Sequence, residues 1–93
     1  MTHTKEKQTR RMELERKLDE LTALGLLPAL LTLLPDEKQR LLLHLRHRLD
    51  LSWPALRKEA ARSGLYYSDR QFYRIYAQAL GSVAALLEAA DEN

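Results

Sequence analysis

The 93-residue sequence contains no cysteine, three glycines, three prolines and one phenylalanine. Without cysteine there is no disulfide framework and no thiolate-held metal. Glycine and proline are scarce beside twenty-one leucines and eleven alanines, so the helical bias is strong. That balance excludes a collagen-like chain and argues against an all-β design. The longest apolar stretch, around Gly25 to Leu34, is far short of the roughly 20 residues a membrane helix needs. The start, Met1 to Lys7, runs into charge with no apolar segment behind it, unlike a signal peptide. A cytoplasmic location is the expectation.

Hydrophobic residues make up 45% of the chain and charged residues 30%, the balance of a folded domain, and the length allows one domain. The formal charge is +2 but unevenly spread: +1 over residues 1–35, +4 over 36–76 and −3 over 77–93. A basic middle and an acidic end say more about partners than the total does. The expected organisation is a polar segment 1–11, frayed or disordered, then one helical domain over 12–90, and an acidic end at 91–93.

Thr4 to Leu24 reads as a polar helix with a narrow stripe of Leu14, Leu18 and Leu21, stopped by Gly25. Leu26 to Leu34 reads as a short buried helical turn or two around Pro28. Pro35-Asp36-Glu37 opens a third helix, with proline in its first turn and Leu41, Leu42, Leu45 and Leu49 as its apolar face. Lys38, Arg46 and His47 fall off that face, and the helix is expected to end near Asp50. Ser52 caps a fourth helix over Trp53–Arg62, with Pro54 in its first turn. Ser68 caps a fifth, in which Phe72, Ile75, Tyr76, Ala79 and Leu80 form the stripe; it either runs to about Ala90 or breaks at Gly81-Ser82. The expected fold class is all-α, with four to five helices.

The segment from Leu51 to Ile75 is the most specific feature. A capped short helix meets a glycine-containing turn, and a second capped helix carries Arg and Gln early. A helix-turn-helix unit needs a small residue where its helices touch (Ala60), a turn tolerating positive φ (Gly64) and pins between the helices (Leu65, Phe72). The stretch Gly64-Leu65-Tyr66-Tyr67-Ser68-Asp69-Arg70-Gln71-Phe72-Tyr73-Arg74 resembles the motif of helix-turn-helix DNA-binding proteins. It is most similar to the small accessory DNA-binding proteins of conjugative plasmids, over about a quarter of the chain, with a turn lengthened by Tyr66 and Tyr67. The resemblance implies a unit over residues 52–80 that binds duplex DNA. It makes Arg70, Gln71, Tyr73 and Arg74 candidates for base edges. Ser68 and the helix start would hold a phosphate, and Arg57, Lys58 and Arg62 would touch the backbone.

Other signals point to packing. His44 and His47 lie three apart, but zinc needs further ligands, so solvated or partly buried imidazoles are expected. No ordered Ser/His/Asp set and no glycine-rich phosphate loop occurs, so neither catalysis nor a cofactor is expected. Ala77, Gly81 and Ala85 recur every fourth residue, a pattern suited to internal packing first and to a homodimer seam second. Tyr66, Tyr67, Phe72, Tyr73 and Tyr76 cluster with Arg70 and Arg74, a composition also found in protein interfaces. The leading expectation is therefore a small, dimeric, non-enzymatic DNA-binding accessory or regulatory protein of bacterial or mobile-element type. The alternative is an inhibitor or adaptor that binds a protein through its Tyr/Arg or Leu-rich surfaces. Five or more exposed Lys/Arg beside the second helix favour the former, and an exposed apolar patch there the latter.

Overall fold

The computed structural model describes residues 2–91, with side chains from Arg10 to Ala90. The described residues form α1 (Thr2–Ala23), α2 (Leu27–Thr32), α3 (Glu37–Leu43), α4 (Trp53–Arg62) and α5 (Asp69–Asp91), and a π-helical turn, His44–Arg48, prolongs α3. None of them is in a strand, and the fold is all-α. The backbone of α1 is helical from Thr2. The side chains of the acidic end expected at 91–93 lie outside the described residues.

Local chemistry sets the boundaries. Gly25 takes φ 73° after α1 and Gly64 takes φ 85° after α4, the left-handed geometry that closes a helix without a Cβ penalty. After α4 the Leu65 N–H donates to the Ala60 carbonyl at 3.0 Å, and Leu65 folds back onto the core. Asp36 caps α3, its carboxylate accepting the N–H groups of Lys38 at 2.8 Å and Gln39 at 3.1 Å. Pro35 therefore precedes the cap and does not enter the first turn. Ser52 caps α4, accepting from the Ala55 N–H at 3.4 Å, with Pro54 just inside.

Two apolar clusters form the core. The first gathers Leu18, Leu27, Leu31, Leu34, Leu43, Tyr76, Ala79, Leu80 and Val83; the second gathers Leu42, Leu45, Leu56, Ala60 and Phe72. Trp53 packs against both. Its ring meets Tyr76 edge-on at 5.1 Å and tilts over Tyr73 at 4.6 Å, which ties the start of α4 to α5. Each fully buried leucine contributes about 1.5–3 kcal/mol. The exposed ion pairs, at about 0–1 kcal/mol each, are secondary.

The structure corrects further expectations and decides one left open. His47 is buried, not set off the apolar face, and Leu49 is half exposed although the sequence put it inside. The π turn is the reason: its i→i+5 hydrogen bonds, such as Leu49 N–H to His44 carbonyl at 3.0 Å, rotate the chain less per residue. His47 is thereby carried inward and Leu49 outward. Helix α5 continues unbroken through Gly81-Ser82. Ala77, Gly81 and Ala85 are exposed, so this row does not pack internally. The inner face of α5 is taken by Phe72, Tyr76, Ala79, Leu80 and Val83 on the opposite side of the helix.

Candidate nucleic-acid interface

The start of α5 is fixed by a reciprocal cap. The Gln71 N–H donates to the Ser68 hydroxyl at 3.2 Å, and the Ser68 N–H donates to the Gln71 side-chain carbonyl at 3.0 Å. Ser68-x-x-Gln71 is thus a capping box, which satisfies two of the orphan donors of the helix start. Ser68 and the carbonyl end of Gln71 are spent on the helix itself, a use distinct from the phosphate and base contacts expected of them.

Phe72 and Tyr76 are buried, which turns Arg70 and Arg74 to the outer face of α5. Both arginines are exposed, and neither forms an ion pair among the described residues. Tyr73, also exposed, has one side of its ring against Trp53. Tyr66, at 80% exposure, is the most open aromatic of the turn. The other basic candidates are not gathered with these. Arg57 is paired with Asp69 across the turn, and Arg62 reaches Glu59 within α4 at 3.3 Å. Lys58 is exposed on the side of α4 away from Leu56 and Ala60.

Lys38, from the first turn of α3, was not among the sequence candidates. It lies beside Tyr67, with its Nζ 5.5 Å from the ring centroid. Its hydrogen bond to Tyr67 lifts the ammonium above the ordinary lysine range, helped by charge interaction with Tyr67 and opposed by slight burial. Lys38, Asp36, Tyr67, Gln71, Arg74, Ile75 and Gln78 line a cavity of about 240 Å³. No local signal marks Lys38, because it reaches α5 only through the packing of α3.

The outer surface at the start of α5 thus offers two arginines without ion-pair partners, Arg70 and Arg74, with Lys38 beside them on Tyr67, and falls short of a five-cation surface. Among the described residues no three His, Asp or Glu side chains gather as a metal site, and no helix is long and apolar enough to cross a membrane. His44 and His47 do not converge on a common point: both ring nitrogens of His47 are engaged, with Asp19 and Tyr76. No protein-family model, curated protein or solved structure matches this chain.

Proposed function

We propose that the protein is a non-enzymatic nucleic-acid-binding accessory protein, and that its contact surface is the outer face of the first turns of α5. One observation carries this reading: Arg70 and Arg74 project together, exposed and without acidic partners, from a helix anchored through Phe72 and Tyr76. Lys38 extends the basic surface beside Arg74. Three cations imply a modest, salt-sensitive affinity. Each phosphate contact adds about 0.9 to the log–log salt slope on duplex DNA, so a slope near −2.7 is expected.

The test is fluorescence anisotropy with a mixed-sequence duplex at two salt concentrations. The double variant Arg70→Ala/Arg74→Ala is compared with Lys5→Ala/Lys7→Ala, which removes the same charge elsewhere. Loss confined to the first pair, with the slope reduced by about two, supports the reading. Equal loss in both reduces the binding to net charge and ends the proposal.

A second reading, a protein-interaction module, is favoured by exposed leucines outside α5: Leu24 is 71% and Leu33 63% exposed. It predicts no duplex affinity beyond that of a generic basic protein.

A further inference from the structure

We propose that the cavity between the start of α3 and the first turns of α5 receives one unstacked nucleobase of a bound DNA strand. The proposal rests on the nucleic-acid reading above and specifies the form of nucleic acid that is held. At about 240 Å³ the cavity lies below the roughly 300–1,000 Å³ of drug-sized sites, a size suited to one flat ring system.

Three kinds of group converge there. Tyr67 supplies an aromatic face, and its ring is fixed edge-on against buried Phe72, with centroids 5.6 Å apart and planes at 74°. A platform held in this way loses little freedom when a base stacks on it. Ile75 adds apolar lining, and the amides of Gln71 and Gln78 stand at the edge. The carbonyl of Gln71 is committed to Ser68, which leaves its NH₂ as a donor, while Gln78 offers both donor and acceptor.

Shape decides which part of a nucleotide enters. The Tyr67 ring face and Ile75 suit a flat base, while the Asp36 carboxylate on the wall is already taken by the Lys38 and Gln39 N–H groups. Arg74, on the wall shared with the outer face, and Arg70 beyond it remain for the backbone. Lys38 now occupies the Tyr67 ring face from an exposed position. A base taking that face displaces the ammonium, which is then free to meet the flanking phosphate. Three cations with an aromatic platform match recognition of unstacked bases better than of a continuous duplex.

The test uses the full chain and two labelled duplexes of one sequence, one fully paired and one with a single bulged 2-aminopurine. The bulged duplex should bind about tenfold more tightly, with its 2-aminopurine fluorescence quenched on binding. Tyr67→Leu and Gln78→Ala should each remove that preference, and Tyr67→Phe should keep it. Gln78 is exposed, so its variant tests the site without disturbing the core. Arg70→Ala should weaken both complexes by the same factor. Equal affinity for the two duplexes, or a preference that survives Tyr67→Leu, overturns the proposal. So does saturable binding of free dAMP with no preference for the bulge. If the paired duplex still binds through Arg70, only the cavity assignment fails; if neither duplex binds, the functional reading falls with it.

Discussion

The Nε2 of His47 lies 2.7 Å from the Tyr76 hydroxyl, which joins the π turn to α5 across 29 residues of chain. On its other side His47 Nδ1 meets Asp19 at 3.2 Å, and the Tyr76 hydroxyl donates to Glu15 at 3.2 Å. The result is a polar chain that fixes α1 to both elements beside the main core. Every buried side-chain polar atom among the described residues has a partner, so the chain is closed. Removing one member strands another.

Tyr76→Phe should therefore cost about 1–3 kcal/mol, because the buried His47 nitrogen loses its partner. The double variant His47→Leu/Tyr76→Phe should cost less than the sum of the two single changes, since the stranded group is gone. Urea denaturation of all four proteins measures the difference. Strict additivity would mean that the two side chains are independent despite their contact.

The pH profile should carry two signatures of opposite sign. Burial, and secondly the Glu15 carboxylate, hold the Tyr76 phenol protonated well above its ordinary 10.0. A raised folded value gives stability that is complete below the unfolded pKa and is lost as pH climbs past it. Urea midpoints should fall above about pH 10, and less so in Tyr76→Phe. His44 is shifted the other way, lowered from 6.5 by partial burial and then by Arg48. A lowered folded value leaves stability complete above 6.5, with loss as the pH falls below it. His44→Gln should flatten that acid limb and leave the alkaline limb intact. A mutant profile parallel to wild type on either limb would remove that residue from the account.

Much of the fold was legible because its boundaries are set locally. Gly25, Ser52, Gly64 and Ser68 each mark a helix end through a φ or a hydrogen bond within a few residues, whereas the cap at Asp36, read from the sequence as lying inside the helix, shows only in its hydrogen bonds. The inward stripe of α5 followed from its helical period alone. His47 and Leu49 were misplaced because a π turn has no sequence signature as plain as a proline or a glycine, and it changes the rotation on which period counting depends. The cavity was illegible for another reason. Lys38 and Tyr67 are 29 residues apart in sequence, and only the packing of α3 on α5 brings them together. Gln71 was visible as a candidate, yet the cap that consumes its carbonyl shows only in the geometry.

The glycines offer a last test, because two of them should respond to the same substitution with opposite signs. Gly81 lies inside α5 with helical backbone, and a Cβ built there meets nothing within 4 Å. In such a position glycine costs about 0.5–1 kcal/mol relative to alanine, through the extra freedom of the unfolded chain. Gly81→Ala should raise stability by that amount. Gly64 also has open space around it, but its φ of 85° lies in the left-handed region. A Cβ at that angle crowds the following carbonyl oxygen, at a cost of about 1–2 kcal/mol. Gly64→Ala should therefore lower the melting temperature and loosen the link between α4 and α5, even though no neighbouring side chain clashes. Thermal melts of the two variants beside wild type give the answer directly. Destabilisation by Gly81→Ala, with sedimentation shifting toward a lower mass, would reveal that the exposed row of Ala77, Gly81 and Ala85 is covered by a second copy in solution.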